Sequence, residues 1–597
     1  MDTSSNEIYS KDHYVVDNSG KLYYRQQMKE AEGFVQEPVA NHAPMLQRII
    51  RKDDGFICKE EVEFSARLNG KNESPVCVDK KTMIGNQPHV NFSPACRIYI
   101  GRGNTAKYSE FMQIQCEDAK IETVYNHTGW ILNEDGERVF LNGENSIDKE
   151  GLTDAYTVEL DPDFRQFRFY PVEDDVSDCF NTVIHKFTDA APNWVQIPLL
   201  AYVFMTPLNG MLREEGKEPC FSLYLIGKTG SYKSSISKLL LCFFGRFSYA
   251  TPSPVTFLDS KNAIGRKLGV GADLPLLLDD RRPTNNSTDK QIYEGTEKFV
   301  SSAIGDRAAR GRLNADSSAR ESYVAKSNLI VTAEEAFVNI GSSSIARSVS
   351  IELEPGSINF NGLQYLQDNP QHFNKVMQMY IRWVIKNWDR IKQSSDKLLK
   401  EYREVFSEAG HARLATAFSQ MLFGYHMFLC FAKDMDQITE DEAASMLEQA
   451  KTVFLEMCDK QSKKVESEKP TLLFIELLKE MLETKTVNLV DLRKSGQDGT
   501  TPIVSTRTIG YRDDDYVYLI PQQAYKQVVQ FYGESGYTFP ASKTSLWKMF
   551  WDEGKLFPDV KADRPDRRKK LNNKSNRYIW LNADVLDSEE KEGKENE

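Results

Sequence analysis

Apolar positions change their spacing along this chain, and the changes mark out its parts. From about 55 to 160 they alternate or cluster between Gly, Asn and Asp, as in VEFSARLNG, ACRIYIGRG and RQFRFYPVE, which predicts short strands and turns. From about 178 they recur at three and four: NTVIHKFTDAAPNWVQIPLLAYVFMTPLNGML predicts helix. Buried-strand runs then alternate with helical stretches to about 355, the pattern of a parallel sheet with crossover helices. FNKVMQMYIRWVIKNW and RLATAFSQMLFGYHMFLCFA predict long helices, and Ser462–Pro470 reads as a charged linker ending in proline.

The chain is therefore expected to be multidomain α/β. Its expected parts are a polar segment over 1–40, a β-rich N-terminal domain over 41–170, an α/β core over 178–370 and a helical region over 371–465. A last domain over 471–586 and an acidic tail over 587–597 complete it. A formal charge of -12 argues against a generally basic nucleic-acid coat, so contact with DNA must come from local basic patches. The nine cysteines include no C-x-x-C pair, which argues against a zinc knuckle or disulfide framework and for reduced thiols. The N-terminus does not read as a signal peptide, and no apolar run approaches the roughly 18–20 residues that span a bilayer. The expectation is a cytoplasmic protein with no membrane partner.

The most informative segment is FSLYLIGKTGSYKSSISKLLLCFFG. An apolar strand over 221–226 leads into Gly227, Lys228, Thr229, Gly230, Ser231, Tyr232, Lys233 and Ser234, and then into a helix. Strand, glycine loop, Lys-Ser and helix is the setting of a P-loop, whose backbone N–H groups cradle phosphates. Lys233 would reach the β- and γ-phosphates of ATP, and the Ser234 hydroxyl would ligate Mg²⁺. Tyr232 stands where glycine is usual.

A partner strand, Leu274–Leu278, ends in Asp279 and Asp280 about 45 residues after the lysine. Asp279 would hold Mg²⁺ and Asp280 would polarise the attacking water. A third strand, SNLIVTAEE, places Thr332, or failing that Glu334, as a polar sensor beside the γ-phosphate. Arg347, just before the next apolar strand, stands where an arginine finger would reach a neighbouring subunit, which implies a ring or other head-to-tail oligomer. Arg413, at the head of an apolar helix, is a candidate second sensor.

Two basic segments are candidates for DNA. Arg310 and Arg312, in a Gly- and Asn-rich stretch suited to a β-hairpin, and Lys326 after it would contact phosphates. From Lys561 to Arg577 the chain carries eight Lys/Arg against two Asp, including Arg567, Arg568, Lys569 and Lys570. Two helices, this basic turn and a closing YIWL strand match a winged helix.

Taken together, the Walker-type segments, Thr128-Gly129-Trp130, the 310–316 stretch, Ile509-Gly510-Tyr511-Arg512-Asp513 and TFPASKTSLWKMFWDEGKL resemble a known family. It is the self-loading, minichromosome-maintenance-like AAA+ replicative helicases of staphylococcal cassette chromosomes, pathogenicity islands and related bacterial mobile elements. The resemblance spans about 20–582. It implies an AAA+ P-loop ATPase core with a helical lid and a C-terminal winged helix. It also implies a homo-hexamer that uses ATP and Mg²⁺, translocates on single-stranded DNA, unwinds duplex during replication of the element and meets replication partner proteins. Tyr232 and the Asp279-Asp280 pair depart from the commonest AAA+ pattern, and the double Asp also resembles superfamily-three viral helicases. Two other readings stay open: an initiator or loader ATPase that melts origin DNA without processive unwinding, and a regulatory switch ATPase acting on protein partners.

Overall fold

The computed structural model describes residues 7–27, 34–171, 173–307, 312–313, 319–320, 323–337, 341–493, 505–534, 537–557, 564–571 and 574–587. The chain is multidomain α/β, with a β-rich N-terminal part.

That part begins earlier than the composition suggests. Glu7–Lys11, Tyr14–Asp17, Leu22–Gln27 and Phe34–Ala40 form an antiparallel meander where the sequence reads as a polar segment. Few but well-placed apolar residues carry it: Tyr14, Val16, Leu22 and Val39 are buried, and they join Phe64, Tyr108 and Phe111 in one cluster. A long hairpin, His42–Asp53 with Cys58–Leu68, follows, and Ile121–Tyr125 adds to it in parallel.

A second small sheet, starting at Gly129–Leu132, ties this region to the rest. Trp130 is the anchor. Its indole N–H donates to the Pro207 carbonyl at 2.7 Å, and its ring lies edge-on to Trp388 and Phe140. Thr128 donates to the Ala272 carbonyl at 2.7 Å. The approach is so close that a Cβ on Gly129 would stand 2.5 Å from an Asp273 carboxylate oxygen, and Gly129 has φ +90.

The central sheet has five strands, numbered here in chain order: β1 Ser222–Ile226, β2 Val255–Thr256, β3 Pro275–Arg281, β4 Asn328–Ala333 and β5 Ser348–Glu352. They lie in the order β2-β3-β4-β1-β5, every pair parallel. The inner strands β1, β3 and β4 carry apolar runs (Leu223–Ile226, Leu276–Leu278, Leu329–Val331) because both faces are covered, as parallel sheets require. The edge strand β5 is closed by a side chain: Gln461 accepts from the Ser350 N–H at 3.0 Å and donates to the Ser348 carbonyl at 2.6 Å.

Helices Pro370–Ser407, Ala412–Asp434 and Glu440–Ser467 cover the core. The first carries a stripe of buried residues (Phe373, Met377, Tyr380, Val384, Trp388, Ile391) at the three-four spacing of one helical face. The last opens on a capping box between Thr439 and Glu442 and runs on through Ser467. The stretch expected as a linker is thus mostly helix, and only Glu468 and Lys469 separate it from the next helix, Pro470–Glu483.

The 178–210 stretch is helical but broken, with a π-helical turn at Thr182–Lys186 and a new start after Pro192. Asn193–Glu214 and Ala412–Asp434 are long and apolar enough to cross a membrane by length and composition, which the apolar-run reading missed. The most apolar stretch of each is packed mostly or wholly inside the fold. Gly424 lets the second helix press against the Asn193–Met205 helix: a Cβ there would meet the Ala201 carbonyl at 2.7 Å.

The C-terminal part is richer in strands than expected. Asn488–Asp491, Thr508–Arg512, Tyr516–Leu519, Lys574–Asn582 and Asp566–Leu571 form one five-stranded sheet in that order, with helices Pro470–Glu483, Pro521–Glu534 and Lys543–Asp552 packed on it.

The Gly129 joint gives a first prediction. Gly129→Ala combines a left-handed backbone with a collision at Asp273 and should destabilise the protein by about 1–3 kcal/mol. Urea unfolding of the variant against wild type checks it; an unchanged midpoint would refute the close approach.

Candidate functional site

The site forms where the parallel strands end. The loop after β1 begins at Gly227, whose N–H donates to the Ala333 carbonyl at 3.0 Å. A Cβ on Gly227 would stand 2.2 Å from the Leu353 carbonyl, so only glycine fits. Gly230 takes φ +89 and Tyr232 φ +60. Tyr232 sits immediately before helix Lys233–Leu241 and supplies, at a steric cost, the left-handed turn that glycine would adopt freely. The Ser231 hydroxyl donates to the Lys228 carbonyl at 2.9 Å, inside the loop.

Lys233 curls back over this loop. Its ammonium donates to the Gly227 carbonyl at 2.5 Å and the Lys228 carbonyl at 3.0 Å. Burial pushes its pKa down, against the upward pull of Glu334, Asp280 and Asp279. Three carboxylates therefore face one lysine across the loop. Thr229 donates its hydroxyl proton to Glu334.

Asp279 and Asp280 stand at the end of β3, where the strand departs from regular pairing. Leu278 pairs with Val331, the register then slips, and Arg281 pairs with Ala333. Asp280 takes φ +75. Such an irregularity re-aims side chains at a strand end. Asp279 accepts from the Ser234 hydroxyl at 2.8 Å and from the Thr332 hydroxyl. Thr332 in turn accepts from the Asp280 N–H at 2.9 Å. One threonine on β4 thus ties both carboxylate positions together. Asp280 also pairs with Arg282, which donates to it at 2.7 Å.

The donor set suits a nucleoside triphosphate with Mg²⁺. A hydroxyl and a carboxylate, both hard oxygen ligands, lie side by side next to a helix N-terminus and a lysine. Ser234 and Asp279 could hold the metal ion.

The other predicted residues lie elsewhere. Arg347 precedes β5, and Ser348 pairs with Ser222 at the start of β1, so it lies at the opposite end of the strands from the loop after Ile226. The five residues of β1 put roughly 17 Å between the two. Its guanidinium pairs with Asp306 at 2.6 Å and also bonds Ser343. Arg413 lies on that same face, lining a cavity of about 540 Å³ with Gly305, Ala346 and Arg403. Neither arginine reaches the loop of its own chain.

Lys326 corrects an expectation. It is not offered to a ligand, because its ammonium donates to the Gly55 carbonyl at 2.6 Å and lies 3.9 Å from the Phe56 ring centre. Arg310 lies outside the described residues, and of Arg312 only the backbone is described, in a short strand pair with Ala319–Arg320. Within the basic 561–577 stretch, Asp566–Leu571 pairs antiparallel with Lys574–Asn582, so its described residues are strands where the sequence predicts a turn before the closing strand. Strand alternation splits its charges. Arg567 lies over Phe557 and Lys569 over Tyr518, with Lys569 also 3.4 Å from Asp513, whereas Arg568 and Lys570 face outward. Arg567 and Lys569 therefore depart from their expected role as phosphate contacts.

No protein-family model matches the chain, and no curated protein matches it in sequence. Its fold is similar to that of a solved structure described as SCCmec type IV Cch, active helicase. The TM-score is 0.57 at 12% identity, covering 97% of this chain and 100% of that one. The C-terminal region of NrS-1 and a JCV helicase align at TM-scores of 0.21 and 0.20, with 11% and 14% identity over 68% and 47% of this chain, too weakly to bear on the fold. They cover 86% and 72% of those chains.

Sequence reading missed Arg281 and Glu297. Arg281 follows the two carboxylates directly and is buried, its Nε donating to Glu297 at 3.2 Å. Glu297 comes from helix Ser287–Gly305 and is completely buried. The only signal in the sequence is a glutamate on the apolar side of an amphipathic helix. Burial outweighs the arginine and pushes the Glu297 carboxyl up to about 7 from an ordinary 4.5.

A carboxyl raised in the folded state contributes stability that is full below its unfolded pKa and lost as pH rises through about 7. Glu297→Gln carries no such titration. Thermal midpoints of both proteins across this range should show wild type losing ground to the variant by a few degrees from acid to alkaline pH. A constant difference would contradict the raised value.

Proposed function

We propose that this protein is an ATP-dependent DNA helicase, an AAA+ P-loop ATPase that translocates on single-stranded DNA and unwinds duplex during replication of a mobile element. The observation that carries the reading is the Ser234–Asp279–Thr332–Asp280 constellation set against Lys233 at the ends of β1, β3 and β4. The fold likeness to a structure described as an active helicase supports it.

In this reading the glycine loop and Lys233 bind the triphosphate of ATP. Mg²⁺, held by Ser234 and Asp279, supplies charge neutralisation on the phosphates. Asp280 accepts the proton of the attacking water, and Thr332 keeps the carboxylates in register with the loop. Arg347, at the opposite end of the strands, serves a neighbouring subunit, in keeping with a homo-hexameric ring. Arg310 and Arg312 track single-stranded DNA. The C-terminal sheet and helices act as a winged helix whose Arg568 and Lys570 touch duplex phosphates.

Three experiments test this. Forked-duplex unwinding with Mg²⁺ and ATP should occur with wild type and vanish in Lys233→Ala. Asp280→Asn should keep nucleotide binding and lose hydrolysis by at least about a hundredfold. Hydrolysis without unwinding by wild type would move the reading to an initiator or loader. For the hairpin, Arg568→Ala with Lys570→Ala should weaken duplex binding and lower the salt slope by about 2. An unchanged slope would remove the hairpin from the DNA interface.

A further inference from the structure

Beside the phosphate loop lies an aromatic surface that none of the interactions above uses. Phe360 opens helix Phe360–Asp368, which follows β5, and its side chain is left 57% exposed. Its ring centre lies 6.2 Å from that of Tyr232, the residue directly before Lys233. The two rings are tilted by 40°, so they do not stack on each other.

This surface is held firmly. Asn359 caps the helix by accepting from the Gly362 N–H at 3.1 Å, and its own N–H donates to the Ala190 carbonyl at 2.9 Å. Gly362 presses onto the 187–190 helix so closely that a Cβ would meet Ala190 Cα at 2.6 Å. Tyr232 is fixed from the other side by its left-handed backbone and by packing against the main core. A rigid, exposed ring beside the half-buried Tyr232 is costly to leave in water and cheap to cover.

We propose that Phe360, flanked by Tyr232, is the platform on which the base of the bound nucleotide stacks. The inference rests on the phosphate-loop reading and extends it: that reading fixes the phosphates, and the platform fixes the base. Continuity decides the occupant. Tyr232 is one residue from Lys233, so a nucleotide with its phosphates in the loop carries its base past this pair. A planar π-face suits an aromatic ring whatever its hydrogen-bonding edge. The tyrosine in a glycine position then has a use that offsets its backbone strain.

The test is calorimetric titration of the full-length protein with Mg·ATP and, separately, with Mg·tripolyphosphate, which has the phosphates and no base. Phe360→Ala should weaken ATP binding by about tenfold, the loss expected for one base–aromatic stack, and leave tripolyphosphate binding unchanged. Phe360→Trp should restore ATP affinity. Unchanged ATP affinity in Phe360→Ala would overturn the platform, and so would equal losses for both ligands, because those would mean a disturbed loop. Wild-type protein that binds neither ligand would overturn the phosphate-site reading and the platform together.

Discussion

The geometry of the site depends on a strand that lies between two others. Strands in a sheet sit about 4.8 Å apart, so β1 and β3, separated by β4, are about 10 Å apart. A hydroxyl on the helix after β1 and a carboxylate at the end of β3 nevertheless meet at 2.8 Å. The helix start reaches across from one side, and the irregular end of β3 leans in from the other. Thr332, on the strand between, contacts Asp279 and the Asp280 backbone at once. Remove β4 or straighten the end of β3 and the oxygen atoms no longer converge.

The same logic explains where charge is tolerated. Buried ions persist when paired, and breaking such pairs is costly. Arg281 and Glu297 meet that condition beneath the carboxylates. Asp279, half-buried, is held instead by two neutral hydroxyl donors. Lys233, by contrast, is held by carbonyl oxygens and faced by three carboxylates, so its ammonium has charge partners on one side and neutral acceptors on the other.

What could be read from sequence was local. The glycine loop with its lysine and serine, and the apolar strand ending in two aspartates, are runs of consecutive residues, so strand and loop patterns place them. The buried Arg281–Glu297 pair joins two elements through packing and leaves no spacing signal. Residues 7–40 read as polar because each short strand buries only a few side chains, such as Val16 and Leu22. The outward and inward charges of 566–571 follow strand register, which a reading of that stretch as a turn could not supply. Lys326 looked available because nothing near it in the chain announces the Gly55 carbonyl, which lies 271 residues away.

The glutamine that closes β5 has a consequence for how such a chain survives its own synthesis. A parallel sheet with an open edge offers unpaired N–H and C=O groups to any other strand, and a crowded cell supplies many. Gln461 imitates the missing neighbour with one amide, donating and accepting as a strand would, while its helix blocks approach. Backbone pairing at this edge is thereby closed to other strands, and any contact made there has to go through side chains.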